Sequence, residues 1–157
     1  MTAEKELAEG EAAPDFALPS SNGDNVKLSA LKGKNVVLYF YPADDTSGCT
    51  KEACSFRDNL PKFDSLNATI LGISKDSLDS HKSFIQKYGL NFTLLSDEEL
   101  KVHHLYGTWK EKNMYGKKYR GTERSTFVID KNGKIKKIFR RVKVDGHEKE
   151  VLEALAS

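Results

Sequence analysis

The alternation of apolar and polar residues along the chain predicts strands and helices that follow one another in turn. Continuous β-branched and aromatic runs at residues 35–41 and 68–73 are typical of strands that are buried on both faces of a sheet. Apolar residues at helical spacing indicate a helix that begins at Asp76 or Ser77 and ends at Gly89. The order strand, helix, strand, helix, strand, helix, hairpin, helix predicts an α/β fold with a mixed, largely parallel central sheet flanked by helices.

Turn-forming residues between short apolar segments predict two β-hairpins. Near the N-terminus, residues 20–24 separate residues 16–18 from residues 26–28, and a later hairpin pairs residues 125–130 with residues 135–142. The remaining predicted elements are a helical turn at residues 29–33, a helix from residue 46 or 47 to about residue 59, a strand at 92–95, a helix from 96 to about 107 and a helix at 147–156.

Length and composition indicate an ordinary globular protein. The chain has 157 residues, of which 38% are hydrophobic and 31% are charged, and it contains no internal repeat and no linker rich in Pro, Gly or Ser. We therefore expect one domain over residues 1–157, with a loose polar extension at residues 1–10. No element is predicted for the polar stretch at residues 110–124.

The N-terminal sequence and the charge balance limit the cellular compartment and the binding partners that we expect. Residues 1–9 lack the apolar stretch of a signal peptide, and the longest apolar run, at residues 36–41, is far shorter than a membrane span. We therefore expect a cytoplasmic protein without a membrane partner. The 25 basic and 23 acidic residues leave a net charge of +2, which does not predict binding to nucleic acid. The basic residues between Lys131 and Lys143 are interpreted as the solvated side of a hairpin.

The four histidines do not form a metal-binding pattern. His81, His103, His104 and His147 are scattered over three predicted helices, without the paired spacing that zinc ligands show. The chain also lacks a cofactor-binding motif. We therefore expect neither a metal nor a cofactor.

The two cysteines of the chain, Cys49 and Cys54, lie five residues apart. A disulfide across so short a loop adds little stability to a core of this size, so the close thiols indicate redox or metal chemistry. Four residues separate the cysteines, whereas a disulfide-exchange motif has two, and this spacing also fits zinc poorly.

The predicted helix start gives Cys49 a chemical role. If Thr46 caps this helix, Cys49 lies in the first turn, where unpaired N–H groups and the helix dipole favour the reactive thiolate. The alternative is a small apolar residue that only fills the start of a helix. The nearby second thiol favours the chemical interpretation.

The segment around Cys49 resembles a known active site. The pattern Pro42-x-x-x-Thr46-x-x-Cys49 is similar to the peroxiredoxin signature, and the surrounding sequence resembles the branch called bacterioferritin comigratory protein or peroxiredoxin Q. The resemblance covers residues 10–155. It implies a thioredoxin-like fold and the reduction of hydrogen peroxide and organic hydroperoxides without a metal or cofactor. It also implies recycling by thioredoxin or a similar dithiol donor.

The resemblance assigns a role to each matching residue. Cys49 resembles the peroxidatic cysteine, which becomes a sulfenic acid, and Cys54 resembles the resolving cysteine, which closes an intramolecular disulfide. Arg124 resembles the arginine beside the thiolate. Thr46 resembles the hydroxyl that hydrogen-bonds the peroxide, and Pro42 the ring that shields the thiolate from water. The implied enzyme is a monomer or a weakly associating dimer.

Three acidic residues in or near the motif are expected to be solvated. Asp44 and Asp45 are expected to face solvent, because an inward negative charge would oppose a thiolate. Glu52 is interpreted as a solvated helix carboxylate.

Two alternative functions also fit the pair of close cysteines. One is an oxidoreductase that exchanges disulfides with proteins, and the other is a thiol redox sensor without catalytic activity.

Overall fold

The computed structural model describes residues 6–157, which form nine β-strands, five α-helices and one 3₁₀ turn. The strands are β1 Ala17–Pro19, β2 Asn25–Lys27, β3 Asn35–Phe40, β4 Ala68–Ser74, β5 Thr93–Ser96, β6 Trp109–Met114, β7 Lys117–Thr122, β8 Ser125–Ile129 and β9 Ile135–Phe139. The helices are α1 Ser47–Asp58, α2 Leu60–Ser65, α3 Leu78–Tyr88, α4 Lys101–Leu105 and α5 His147–Ala156. No helix in this part of the chain is long and apolar enough to cross a membrane.

Five strands form the central sheet in the spatial order β5-β4-β3-β8-β9. β3 runs parallel to β4 and β4 parallel to β5, whereas β8 runs antiparallel to both β3 and β9. The predicted α/β fold with a mixed sheet and an N-terminal hairpin is confirmed. Four of the five strands, β3, β4, β5 and β9, run in one direction, as expected for a largely parallel sheet, and β8 alone runs against them. The chain reaches β8 through the hairpin of β6 and β7 and returns antiparallel to β3.

The packing of β3 explains why its sequence is apolar at nearly every position. Val37 and Tyr39 belong to the buried cluster that includes side chains of α1, α3 and α5. Leu38 and Phe40 belong to the cluster on the other side, which includes side chains of α4 and β1. Successive side chains of a strand point to opposite faces, so a strand covered on both faces is apolar throughout. The end of β3 is therefore a fixed support for the segment that follows.

The segment that precedes β1 pairs with the outer edge of β9. The N–H of Gly10 donates to the Ile135 carbonyl at 2.7 Å, and Glu9 accepts a hydrogen bond from the N–H of Ile138 at 3.0 Å. The expected loose extension at residues 1–10 is therefore wrong for residues 9 and 10, and residues 1–5 lie outside the described part of the chain. Edge strands expose unpaired backbone groups, and this pairing satisfies those of β9.

Three local features differ from the pattern prediction. Pro61 lies in the first turn of α2, where its missing N–H breaks no hydrogen bond, and so it does not end the helical region.

β6 and β7 occupy the stretch for which no element is predicted. Their residues are largely exposed and show no apolar alternation, so the sequence pattern does not indicate them. Tyr115 and Gly116 at their turn both have positive φ, which a two-residue hairpin of type I′ requires. α4 begins only at Lys101, because Leu100 has a φ of 64°.

Candidate active site

The loop between β3 and α1 lies at the carboxyl end of a central strand, where α/β sheets place their chemistry. Thr46 has the extended backbone of an N-cap residue, and the N–H of Thr50 donates to its carbonyl at 2.8 Å. Cys49 is therefore the third residue of α1, in the first turn as predicted, and it is only 1% exposed. The N–H groups of this turn have no partner within the helix and favour a negative charge on the sulfur.

Arg124 brings a positive charge to Cys49 from a distant part of the sequence. It lies between β7 and β8, and its carbonyl accepts a hydrogen bond from the N–H of Val142 at 3.0 Å. Its Nη2 donates to the Cys49 Sγ at 3.2 Å, and its Nη1 donates to the Glu52 Oε1 at 2.6 Å. The planar guanidinium holds both groups at once, and its charge favours the thiolate over the thiol.

Gly48 leaves space for this guanidinium. A Cβ atom at Gly48 would lie 3.3 Å from Nη2 of Arg124, which is closer than most Cβ contacts in proteins. A larger residue here would require the guanidinium to shift by a few tenths of an ångström from its position against Cys49. The glycine before Cys49 thus has a packing reason.

Glu52 is buried, so its interpretation as a solvated carboxylate is wrong. Its side chain is 1% exposed and forms an ion pair with Arg124. Burial raises the pKa of Glu52 from 4.5 to about 7, although the Arg124 charge lowers it. Its Oε2 and the Tyr39 hydroxyl have no hydrogen-bond partner in the part of the chain that the structure describes. A sequence signal for this burial exists, because Cys49, Glu52 and Phe56 lie at helical spacing on one face of α1.

The pKa of Glu52 predicts how Glu52→Gln changes stability with pH. The folded protein holds the Glu52 proton up to about pH 7, whereas the unfolded chain releases it near pH 4.5. The wild type therefore loses about 3 kcal/mol of unfolding free energy relative to Glu52→Gln as the pH rises through this window. Urea unfolding of both proteins at pH 4 and pH 8 measures the difference. An equal pH dependence of the two proteins would contradict the raised pKa.

The other predicted site residues, Pro42, Thr46 and Cys54, lie in the same region but differ in exposure and in hydrogen bonding. Pro42 follows β3, is half-buried, and its carbonyl accepts a hydrogen bond from Nζ of Lys75 at 2.9 Å. Thr46 is exposed, and its hydroxyl donates to the Ala43 carbonyl at 2.9 Å and does not cap α1. Cys54 is half-buried on α1, and both cysteines are free thiols.

Asp44 and Asp45 anchor the loop between β3 and α1, residues 41–46 and called the catalytic loop below, to α3. The Asp44 side chain is only 4% exposed and contacts Nδ1 of His81 at 2.7 Å, so the expectation that it faces solvent is wrong. The Asp45 side chain is 41% exposed, as expected, and forms an ion pair with Lys87 at 2.7 Å. Asp45 has a φ of 57°, and this left-handed conformation is held by Lys87 and by the Tyr88 hydroxyl.

A cluster beside the loop has the residue types of a metal site. One ligand atom from each of Asp44, Asp76 and His81 lies within 4.8 Å of the others. The Asp76 carboxylate already accepts hydrogen bonds from the Asp44 N–H at 2.8 Å and from the Ser74 hydroxyl at 2.7 Å. The Asp44 carboxylate is likewise bonded to protein donors. A bound cation would have to displace these donors, so the cluster is organised as a hydrogen-bond network.

A buried helix-start thiol in contact with a guanidinium, at the end of a strand in this fold, defines the class of thiol peroxidases. The AhpC/TSA family profile matches residues 10–138, and the chain belongs to this family. Within the family it belongs to the bacterioferritin comigratory protein branch, also called peroxiredoxin Q.

Individual relatives agree along almost the whole chain. A putative peroxiredoxin bcp from Coxiella burnetii is 53% identical over 146 residues, which are 93% of this chain and 97% of the relative. Peroxiredoxin Bcp of Bacillus subtilis is 50% identical over 146 residues, which are 93% of each chain. A structure of the Xanthomonas campestris bacterioferritin comigratory protein has a TM-score of 0.86 and 44% identity, and the match covers 90% of each chain.

These similarities confirm the thioredoxin-like fold and the family that the signature suggested. The chain is a peroxiredoxin, an enzyme with thiol peroxidase function. The roles of the individual residues follow from the geometry and are argued below.

Proposed function

We propose that Cys49 reduces hydrogen peroxide and organic hydroperoxides and that Cys54 resolves the product as an intramolecular disulfide. The contact of 3.2 Å between Arg124 Nη2 and Cys49 Sγ, at the start of α1, carries the proposal. The Xanthomonas campestris relative is described by its alkyl peroxide reduction activity, which supports organic hydroperoxides as substrates. We further propose thioredoxin or a similar dithiol protein as the donor.

Each step balances with the groups in the site and the donor. The Cys49 thiolate attacks one peroxide oxygen, the O–O bond breaks, and the leaving oxygen takes up a proton as water or an alcohol. Arg124 stabilises the charge on that oxygen, the Thr46 hydroxyl orients the peroxide, and Pro42 shields the sulfur. The Cys54 thiol then displaces water from the sulfenic acid. A dithiol donor reduces the disulfide and becomes oxidised.

One assay separates this function from the two alternatives. With thioredoxin, thioredoxin reductase and NADPH, a peroxidase oxidises NADPH only when a hydroperoxide is present. A disulfide oxidoreductase reduces insulin disulfides without peroxide. A redox sensor is oxidised by peroxide and turns over poorly with every donor. NADPH oxidation that does not depend on peroxide would contradict the proposal.

Cys54→Ser separates peroxide attack from resolution. Because Cys54 takes no part in breaking the O–O bond, the first oxidation of Cys49 should keep its wild-type rate. The sulfenic acid should then persist, react with dimedone and over-oxidise more readily. Steady-state turnover with thioredoxin should fall at least about tenfold. If the variant retains full thioredoxin-linked turnover, Cys54 is not the resolving thiol.

The disulfide requires part of α1 to unwind. Five residues along an α-helix advance about 7.5 Å and rotate about 140°, so the Cα atoms of Cys49 and Cys54 lie roughly 8–9 Å apart on nearly opposite faces. A disulfide needs Cα atoms within about 7 Å and converging Cβ atoms. Residues 48–54 must therefore leave the helix, and both contacts to Arg124 must break. The end of α1 is held separately, because Arg57 donates to the Tyr88 carbonyl at 2.5 Å.

Hydrogen exchange in the two redox states tests this unwinding. In the disulfide form, amides of residues 50–58 should lose protection, because their helical hydrogen bonds end on carbonyls of residues 46–54. Protection should persist in α2, since Arg57 anchors the end of α1 to α3. α3 and α5 serve as internal references. Equal protection of residues 50–58 in both states, with the disulfide confirmed by mass, would refute the mechanism.

The remaining proposals concern the setting of the reaction. We propose that the enzyme acts in the cytoplasm as a monomer or a weak dimer, without a nucleic acid, membrane, metal or cofactor partner. The proposed resolving thiol, Cys54, lies in the same helix as Cys49, so the proposed disulfide needs no second subunit. Sedimentation of the reduced and oxidised protein measures the association.

A further inference from the structure

A second buried acidic group lies in the catalytic loop. Asp44 precedes Cys49 by five residues. Three contacts converge on its carboxylate, from the Tyr41 hydroxyl at 2.6 Å, the Ser80 hydroxyl at 2.8 Å and the His81 Nδ1 at 2.7 Å. The His81 side chain lies on α3 and is 0% exposed. A buried carboxylate opposes a nearby thiolate unless another group cancels its charge.

The partners of His81 determine how many protons the pair holds. Its Nε2 lies 2.9 Å from the Leu95 carbonyl oxygen, which can only accept, so Nε2 carries a hydrogen. The contact of 2.7 Å between Nδ1 and the Asp44 Oδ2 needs one further hydrogen. Whichever atom keeps that hydrogen, the net charge of the Asp44–His81 pair is zero. The histidine thus cancels the charge of the loop carboxylate.

The Asp44–His81 pair and the Cys49 sulfur lie beside the same cluster of aromatic side chains. The Tyr41 ring, whose hydroxyl donates to Asp44, packs against Tyr39 with the ring centroids 5.4 Å apart. Both rings and Cys49 belong to one buried cluster. Burial raises the pKa of Tyr39 well above its usual range, and the charges of Cys49 and Asp44 are among those that raise it further. Packed apolar groups screen charges much less than water does, so a net charge on Asp44 would act on Cys49.

The other charged groups around the pair have partners of their own. Among the described residues, Asp45 of the loop itself and three side chains of neighbouring segments, Lys75, Asp76 and Lys87, bring charges to the loop. Asp45 and Lys87 form an ion pair with each other at the surface. β5 contributes the Leu95 carbonyl, which does not titrate. Replacing His81 leaves all of these groups in place, so a change in Cys49 reactivity reports on the pair.

We propose that His81 is a positioning residue for Cys49, which ties the catalytic loop to α3 through Asp44 and cancels the charge of that anchor. The carboxylate holds the loop by three hydrogen bonds, and the histidine prevents it from disfavouring the thiolate. The proposal rests on the proposed function only in naming Cys49 as the reacting thiol.

His81→Gln tests the proposal because glutamine keeps a polar donor and removes the ring nitrogen that shares the neutralising hydrogen with Asp44. In a Cys54→Ser background Cys49 is the only thiol of the chain, so the pH profile of iodoacetamide alkylation follows Cys49 alone. We expect the midpoint of this profile to rise by about one pH unit in His81→Gln. In Asp44→Asn/His81→Gln both charges are removed, and the midpoint should return to within about 0.3 units of the parent.

A second histidine–aspartate pair provides a matched control. Nδ1 of His103 lies 2.7 Å from Oδ2 of Asp97, and the two side chains are 0% and 1% exposed, but Asp97 lies outside the catalytic loop. His103→Gln should destabilise the fold as much as His81→Gln does. It should leave the alkylation midpoint unchanged.

Asp44→Asn gives an independent measurement that does not require His81→Gln to fold. With asparagine at this position the carboxylate is gone, and the amide can donate to Nδ1 without a further hydrogen. The pair then still has no net charge, so the alkylation midpoint should stay at the parent value. A fall of about one unit would mean that Asp44 carries an uncompensated charge, and would overturn the proposal.

Two results with His81→Gln would also overturn the proposal. One is an unchanged alkylation midpoint in the folded variant. The other is a double variant that keeps the shift of the single one, because a purely structural role of His81 produces that result. Alkylation needs no peroxide, so these outcomes are distinct from a Cys54→Ser parent that fails to consume peroxide, which would contradict the proposed function.

Discussion

Cys49→Ser abolishes peroxide consumption, with an expected loss of at least about 10³-fold in turnover. A serine hydroxyl stays protonated at neutral pH even beside Arg124 and the first turn of α1, and it does not attack an O–O bond. The rate is measured with hydroperoxide and dithiothreitol, a small donor, so that docking of a partner protein does not limit it.

The control for this variant is Cys54→Ser, which removes the other thiol and leaves the first oxidation intact. Serine matches cysteine closely in volume, so Cys49→Ser should keep the urea midpoint of the wild type within the scatter of a conservative core change. A folded Cys49→Ser protein that still consumes peroxide at more than about one tenth of the wild-type rate would contradict the assignment.

The parts of the site that local sequence signals control could be predicted. The apolar run of β3, the turn-forming loop and the position of Cys49 near a helix start all depend on residues close together in the chain. Because β3 is covered on both faces, its run lacks alternation, and that is a signal in itself. The chemistry of the thiol followed from its place in the first turn of α1.

Apart from the helical spacing that places Glu52 on the same face as Cys49 and Phe56, the burial of acidic side chains could not be predicted in this way, because it depends on partners far along the chain. Glu52 is buried because Arg124, which is 72 residues away, neutralises it. Asp44 is buried because His81, 37 residues away, meets it. A carboxylate is usually solvated when nothing in its own segment pairs with it, so the local expectation favours exposure. Tertiary contacts reverse that expectation at both positions.

Arg124 itself was identified by resemblance and not by pattern. Nothing in the sequence of residues 110–124 indicates that Arg124 lies against a buried thiol. The strands that precede it, β6 and β7, are polar and largely exposed, so they give no pattern from which its position could be predicted. The hairpin ends two residues before Arg124, and β8 begins directly after it. The side chain is therefore placed at the junction of an exposed hairpin and a buried strand, where burial changes abruptly.

Arg124→Met slows the oxidation of Cys49 by peroxide by roughly 10²-fold or more, the usual cost of losing a preorganised charge. Methionine is similar in bulk and uncharged, so both the thiolate and the transition state lose their cation. The fold should persist, because the pKa of Glu52 is already raised to about 7 by burial and rises further without the Arg124 charge. Glu52 is then neutral at pH 7, and the variant buries no unpaired carboxylate.

A second substitution at Glu52 separates the effect of the Arg124 charge on Cys49 from its effect on Glu52. Stopped-flow single-turnover rates should be equal in Arg124→Met and Arg124→Met/Glu52→Gln, because Glu52 is neutral in the first and absent in the second. Arg124→Lys should recover only part of the rate, because one ammonium cannot contact both Cys49 and Glu52 as the guanidinium fork does. Wild-type oxidation rates in Arg124→Met would show that the enzyme does not use this charge. A much faster double variant would show that an ionised Glu52, and not the missing cation at the sulfur, limits the single one.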